Sequence, residues 1–321
     1  MSKWAICIAT ARPQMAEQWL EGWRDIFELH AVDVLIMQDA DRKTILPRDR
    51  VYVWDQSDVK HSLGDRSWII PRCTAACRSF VLWQAYKRGY DYYLSLDDDC
   101  YPIDDIFSAY ERSFGLQNAP NYRYVDYADV FGYRHHVRGY PYGIRKPHSV
   151  AVQYGVWLKN PDYDAITMIE NEMLSETDIA SRRVIVPKYS AFTGCIMNAA
   201  ITHKYLPAMY QLLMGKRVGY DRVEDIWSAL IMKRIADHLE DVVVLNGEAR
   251  VIHERASNAY ASLLKELPAM PKNEQLWEEL LQVKLTGNTP LDCYREIAQS
   301  RVIPEQSEAM QTWVTLFEEL Q

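Results

Sequence analysis

Residues 90–99, with the sequence YDYYLSLDDD, join a short apolar run to three consecutive aspartates. The apolar part, residues 90–96, has the length and composition of a buried β-strand. Residues 74–88, immediately before it, are predicted to form a helix. The aspartate triplet (Asp97, Asp98 and Asp99) therefore stands at the carboxyl end of a predicted strand.

Three further strands are predicted towards the N-terminus, over residues 4–9, 31–37 and 51–54. A helix is predicted over residues 15–29, where apolar residues recur at helical spacing. Strands that alternate with helices indicate parallel βαβ units and a doubly wound α/β sheet. In such sheets, ligands bind beyond the carboxyl ends of the strands. Polar residues follow three of these ends: Thr10 and Arg12, Asp39 and Asp41, and the aspartate triplet.

Three adjacent carboxylates repel one another unless a cation or water compensates them. Mg²⁺ or Mn²⁺ would do so, because hard divalent ions prefer oxygen ligands and also bind diphosphate oxygens. A solvated turn or a helix N-cap is the alternative. The position after a strand of a nucleotide-type sheet favours the metal site.

Two later segments offer partners for this site. His253 follows an apolar, strand-like run over residues 242–245 and its turn, and it completes a plausible metal shell together with the aspartates. Taken alone, it would be a core histidine. Glu224 and Asp225 either supply a base or hold a sugar hydroxyl, or they form the acidic first turn of a helix.

A basic segment, RHHVRGYPYGIRK, spans residues 134–146. Its glycines and proline predict a loop that carries Arg138 and Arg145. Arginine matches phosphate oxygens with a rigid set of donors, so the loop suits a diphosphate. A basic surface loop without a ligand is the alternative.

The composition indicates a folded protein and limits the classes of molecule that it can bind. The chain has 321 residues, of which 48% are hydrophobic and 25% charged, so it can form a full core. Its net charge of −8, without a run of lysines and arginines, argues against nucleic acid as the main partner.

The sequence also indicates a compartment. Six cysteines in mostly apolar contexts favour a reducing environment. The N-terminal segment reaches Arg12 and Pro13 too early for a secretory apolar core, and the apolar runs are shorter than the ~20 residues that a membrane helix needs. We expect a cytoplasmic protein without a membrane partner.

Several longer motifs resemble those of one family, the reversibly glycosylated polypeptides, whose best-known members are plant UDP-arabinopyranose mutases. The motifs lie in family order between residue 8 and about residue 270. They are LIMQDAD (35–41), LDDDC (96–100), VRGYPYGIR (137–145), VQYGVWLKNPDYDA (152–165), GCIMN (194–198), PAMYQLLMG (207–215), EDIW (224–227) and HERASN (253–258). Residues 102–133 resemble the family poorly.

The resemblance implies a GT-A-type, Rossmann-like nucleotide-sugar-binding fold, Mn²⁺ or Mg²⁺ as cofactor, and interconversion of UDP-arabinopyranose and UDP-arabinofuranose. It also implies reversible self-glycosylation at Arg138 and a need for Arg145. The expected catalytic residues are Arg138, Arg145 and Asp225, and the expected metal ligands are Asp97, Asp99 and His253. The expected substrate-binding residues are Thr10, Arg12, Asp39, Arg78, Asp97, Asp98, Tyr140, Trp157, Asn198 and Glu224.

The expected organisation is a GT-A-like catalytic domain over residues 1–260 and a helical extension over residues 261–321. Within the first, residues 1–115 would bind the nucleotide and residues 116–260 the sugar or an acceptor. Two alternatives to the mutase remain open. One is a glycosyltransferase acting on a glycan, a protein or a modified nucleobase, and the other is a non-catalytic UDP-sugar-binding partner subunit. A homo- or hetero-oligomer also remains open.

Overall fold

The computed structural model describes residues 2–114, 134–142, 148–171, 175–177, 179–255 and 257–320. Within them, one mixed sheet contains all the named strands. The strands are β1 (Trp4–Thr10), β2 (Asp33–Gln38), β3 (Val51–Trp54), β4 (Tyr92–Leu96), β5 (Cys100–Pro102), β6 (Val150–Lys159), β7 (Arg183–Ile185), β8 (Asn198–Thr202) and β9 (Val242–His253).

The described helices surround this sheet. They are α1 (Pro13–His30), α2 (Gln56–Leu63), α3 (Cys77–Arg88), α4 (Ile106–Phe114), α5 (Ala165–Glu170), α6 (Glu224–His238), α7 (Ala259–Glu266), α8 (Met270–Gln282), α9 (Pro290–Ser300) and α10 (Ser307–Glu318). None of them combines the length and the apolar character needed to cross a membrane.

The first four strands in the order β3-β2-β1-β4 all run parallel to their neighbours. Helix α1 connects β1 to β2 and buries an apolar face at helical spacing, formed by Ala16, Trp19, Leu20, Trp23 and Phe27. Helix α3 ends at Gly89, whose φ of 64° lies in the left-handed region that glycine adopts without strain. The α/β, Rossmann-like prediction is confirmed.

Apolar side chains cover both faces of the sheet. Successive residues of β1 alternate between two core clusters, with Ala5 and Cys7 in one and Ile6 and Ile8 in the other. The first cluster also contains residues of α8, α9 and α10, so these helices pack on the same core as α3. The helical C-terminal region predicted from the sequence is confirmed.

Beyond β4 the sheet is mixed and curled. Strand β8 is antiparallel to β4 and β6, while β6 is parallel to β9, which pairs with β5. A flat sheet would separate β4 from β5 by four strand spacings, about 19 Å. The aspartate triplet alone joins these two strands, and that connection reaches about 14 Å at most. The sheet therefore has to fold back on itself.

The bend lies in β6 and β9. Their pairing changes register between Tyr154 and Val156, so residues 246–249 of β9 are accommodated opposite Gly155. A Cβ atom on Gly155 would lie 2.2 Å from Asn198 Nδ2 and 2.4 Å from the Ala249 carbonyl oxygen. Only glycine fits this close approach.

The bend corrects one prediction about His253. The sequence indicated a strand over residues 242–245 and a turn before His253, but β9 continues through the bend to His253. Its last residues pair with β5, where Cys100 opposes His253. The bent strand thus carries His253 to the end of the aspartate triplet.

Candidate active site

Asp98 ties the ends of β1 and β4 together. It is 2% exposed. Its carboxylate accepts a hydrogen bond from Thr10 Oγ1 at 2.5 Å and forms an ion pair with Arg12. Burial raises the pKa of Asp98, although Thr10 and Arg12 both bond its ionised form. The partners of this carboxylate are therefore groups of the protein itself.

Asp97 pairs with a buried arginine. Arg78 lies on α3 and forms an ion pair with Asp97. Burial acts to lower the pKa of Arg78, but the Asp97 carboxylate outweighs it and the pKa is raised. Arg78 is thus a permanent cation at the carboxyl end of β4.

Asp99 differs from its two neighbours because one of its oxygens is unpaired. Its Oδ2 accepts from Arg12 at 3.0 Å, whereas Oδ1 has no hydrogen-bond partner among the described residues. Asp99 Oδ1 lies 3.6 Å from His253 Nε2. His253 Nδ1 lies 2.5 Å from the carbonyl oxygen of Asn160. Since a carbonyl only accepts, Nδ1 carries a proton and donates it to Asn160, which leaves Nε2 as the ring nitrogen that faces Asp99.

A divalent cation fits this arrangement. A carboxylate oxygen and an imidazole nitrogen face each other at 3.6 Å, and both atom types are metal ligands. The hydrogen bond from Nδ1 to Asn160 orients the ring as the outer contacts of metal-bound histidines do. Asp97 borders the same cavity as Asp99 and His253, so the three predicted ligands are brought together.

A second group of acidic side chains lies nearby. Glu224 and Asp225 form the first turn of α6, and atoms of Asp162, Cys195 and Asp225 lie within 4.8 Å of one another. Burial and the Asp225 carboxylate raise the pKa of Asp162 to about 6 and also raise the pKa of Glu224. The side chain of Asp162 is 32% exposed. The carboxyl groups of Asp162 and Glu224 are therefore suited to transfer protons near neutral pH.

Most of these groups, but not Asp98 or Thr10, border one cavity of about 280 Å³ at the carboxyl ends of the strands. Its lining includes Arg12, Arg78, Asp97, Asp99, Asp162, Cys195, Gln211, Arg222, Glu224, Asp225, His253 and Arg255. A neighbouring cavity of about 440 Å³ is lined by Thr10 and Asp39 and shares Arg78 with the first. Another, of about 180 Å³, shares Asp162, Arg222, His253 and Arg255.

Asp98 and four other predicted site residues line none of these three cavities. Asn198 is fully buried, and its side chain bonds only protein groups: Val156, Ala249 and Tyr110. Trp157 lies on β6 and packs against the core. Tyr140 is buried and stacks on His136, with ring centroids 3.9 Å apart. Arg138 is exposed. Arg145 lies outside the described residues.

Residue patterns alone missed several groups that line the cavity, above all Asp162, Arg222, Arg255 and Gln211. Asp162 follows the end of β6, as Thr10 and Asp39 follow the ends of β1 and β2. Predicting β6 as a strand would have identified it by the same rule. Gln211 stands in an apolar run and carries no such signal.

A carboxylate- and guanidinium-lined pocket beyond the carboxyl ends of a Rossmann-like sheet defines an α/β protein of the nucleotide-binding type. The model of the family "Reversibly glycosylated polypeptide" matches residues 2–321. The chain belongs to this family, and the GT-A-type fold that the resemblance implied agrees with the observed sheet.

Named relatives have similar lengths. UDP-arabinopyranose mutase 1 of Arabidopsis thaliana is 31% identical, over 94% of this chain and 89% of that protein. UDP-arabinopyranose mutase 1 of Oryza sativa subsp. japonica is 30% identical, over 94% and 87%. Among solved structures, glucosyl-3-phosphoglycerate synthase from Mycobacterium tuberculosis, in complex with Mn²⁺, UDP and glucosyl-3-phosphoglycerate, is 10% identical. It covers 87% of this chain and 78% of that chain with a TM-score of 0.39, too low to support an inference about the site.

Proposed function

We propose that this protein interconverts UDP-arabinopyranose and UDP-arabinofuranose. The observation that carries the proposal is the convergence of Asp97, Asp99, His253, Arg12 and Arg78 on one cavity. Such a site neutralises a diphosphate and leaves acidic groups beside it for a sugar. Relatives of similar length named UDP-arabinopyranose mutases supply the identity of that sugar.

The arginines are placed to hold the diphosphate. Arg12 Nη1 and Arg78 Nε are buried donors without a partner among the described residues. Arg255 lines the same cavity and is exposed, so its guanidinium can approach a ligand. Asp99 and His253, with Asp97 at the same cavity, would hold a divalent cation, Mn²⁺ or Mg²⁺, and the bound cation would supply positive charge next to the diphosphate.

Ring contraction needs proton transfer as well as charge. The bond from C1 to the UDP oxygen breaks, another hydroxyl of the sugar then bonds to C1, the bond from C1 to the original ring oxygen breaks, and the UDP oxygen bonds to C1 again. The closing hydroxyl loses a proton and the released ring oxygen gains one. Asp162 and Asp225 are placed to accept and return that proton, because they lie together and the pKa of Asp162 is raised to about 6.

Arg138 and Arg145 belong to the proposal through the family resemblance. Arg138 is exposed and therefore open to reversible glycosylation. UDP-arabinose is the proposed partner, and the cytoplasm is the proposed compartment. The compartment rests on the six free cysteines, since free thiols are typical of a reducing environment.

The test is turnover without an acceptor. Purified protein with UDP-arabinofuranose and Mn²⁺ should form UDP-arabinopyranose, with the two nucleotide sugars resolved chromatographically, and without net release of UDP. Slow hydrolysis as the only reaction, with UDP release that accelerates when a glycan acceptor is added, would replace the mutase by a transferase.

A matched pair of variants tests the proton-transfer step. Asp162→Asn removes a carboxyl group from the cavity and should lower kcat at least tenfold, with little change in UDP affinity. Asp164→Asn changes a neighbouring carboxylate that caps α5 outside the cavity, and asparagine is also a good cap. Its activity should equal that of wild type. Equal activity of both variants would remove Asp162 from the reaction.

A further inference from the structure

Gln211 is a buried polar side chain for which the described protein supplies no partner. It is 0% exposed, and neither its amide nitrogen nor its amide oxygen has a hydrogen-bond partner among the described residues. Buried amides are almost always hydrogen-bonded, because an unpaired one loses its bonds to water without replacement. Gln211 also borders the 280 Å³ cavity, which is far larger than the roughly 30 Å³ that one water occupies in the liquid.

The main chain around Gln211 is firmly held. The Gln211 N–H donates to Ser79 Oγ at 2.8 Å, and Ser228 Oγ donates to the Tyr210 carbonyl at 2.6 Å. Two residues further on, the Gln306 amide accepts from Leu213 N at 2.9 Å and donates to Leu213 O at 2.6 Å. The backbone is thus fixed on both sides of Gln211, as in a preorganised binding site.

Two neighbours on the cavity wall share this property. Glu224 Oε2 and Arg78 Nε are also buried and lack partners within the described part of the chain, and both residues border the cavity. We call Gln211, Glu224 and Arg78 the inner wall. It presents donors from the amide and the guanidinium next to acceptors from the amide and the carboxyl group.

This mixture of donors and acceptors selects a ligand chemistry. A phosphate would satisfy the donors but would face the acceptor oxygens of Gln211 and Glu224. An apolar group would leave every atom unpaired. A hydroxyl both donates and accepts, so neighbouring hydroxyls of a sugar ring satisfy the whole wall.

We propose that the inner wall binds ring hydroxyls of the glycosyl group and that the Gln211 amide is one of the groups that hold them. The proposal rests on the proposed function, because it takes a UDP-sugar as the ligand of the cavity. It adds a subsite for the sugar beside the residues that hold the diphosphate, and Arg78 is common to both.

The chain offers a matched control in a second buried glutamine, Gln306, whose amide bonds Leu213 of the same segment. Gln211→Met and Gln306→Met remove the same amide, but only Gln306 is bonded to the protein. Calorimetric titration with UDP and with UDP-arabinopyranose, both with Mg²⁺, measures the two affinities, and thermal unfolding measures Tm. For Gln211→Met, UDP-arabinopyranose should bind about 5- to 30-fold more weakly, while the UDP affinity stays within twofold and Tm does not fall. Gln306→Met should lower Tm and leave the ratio of the two affinities unchanged.

Two results would overturn the subsite. If Gln211→Met binds both ligands as wild type does, ordered water satisfies the amide and the sugar does not touch it. If both affinities and Tm fall together, Gln211 only supports the fold. A failure of the proposed function is visible in the wild-type protein without any variant: UDP-arabinopyranose then binds no more tightly than UDP.

Discussion

Asn198→Ala should destabilise the protein by removing the residue that holds the bend in β6 and β9. Asn198 Nδ2 donates to the carbonyl oxygens of Val156 at 3.2 Å and Ala249 at 3.0 Å, and its Oδ1 accepts from Tyr110 at 2.7 Å. Each buried group left unpaired costs about 1–3 kcal/mol. Water that enters the vacated space recovers part of this. We expect a loss of about 3 kcal/mol, and at about 2 °C per kcal/mol a Tm lower by about 6 °C.

The bend also delivers His253 to Asp99, so the variant should bind Mn²⁺ about tenfold more weakly, as when the supporting contacts of a metal ligand are lost. Urea unfolding and calorimetric titration with Mn²⁺ and with UDP provide the measurements. Asn273→Ala is the control, since it removes a single hydrogen bond, from Trp227, and should cost about 1 kcal/mol with no change in Mn²⁺ affinity. Unchanged stability of Asn198→Ala together with a lost UDP affinity would refute the reasoning and place Asn198 against the ligand.

Three other outcomes are expected. Asp99→Asn should weaken Mn²⁺ binding at least tenfold and leave Tm nearly unchanged. Asp98→Asn should instead lower Tm, because Arg12 and Thr10 lose their partner. The reverse pattern in calorimetric titration and thermal unfolding would contradict these roles. The raised pKa of Asp162 means that the folded state holds this proton more tightly than the unfolded chain, so its contribution favours folding at low pH and is lost as the pH rises from about 4 towards 6. Asp162→Asn should therefore unfold at a higher temperature than wild type at pH 7.5, by a margin that narrows at pH 4.5, and an equal margin at both pH values would count against the assignment. Wild type treated with UDP-arabinopyranose should show a glycosyl adduct by intact-mass spectrometry, absent in Arg138→Ala; an adduct that persists in the variant would place the modification elsewhere.

The parallel half of the fold was predictable because its signals are local. Strand β3 has the predicted bounds, and α1 extends the predicted helix by two residues at its start and one at its end. Parallel strands end at the same edge, so Thr10, Asp39 and the aspartate triplet were expected to lie near one another without any knowledge of the curl. His253 was predicted as a metal ligand because a distant histidine can complete a metal shell with aspartates.

The bent half was not predictable in this way. Its geometry depends on Gly155 meeting residues 246–249 of a distant strand, a contact that no periodicity records. For the same reason the sequence could not separate Asn198, which the bend buries, from a ligand-binding asparagine. Gln211 was missed because its unpaired amide becomes visible only when the surrounding atoms are placed.

Because β5 pairs with β9, the two predicted cation ligands Asp99 and His253 are synthesised at different times. Asp99 leaves the ribosome early, with the parallel strands, but His253 ends the last of the described strands. A nascent chain can therefore form the parallel strands that carry Thr10 and Asp39 before His253, the partner of Asp99, has been synthesised. Cations and nucleotide sugars that meet the growing chain find no finished site until translation has passed His253.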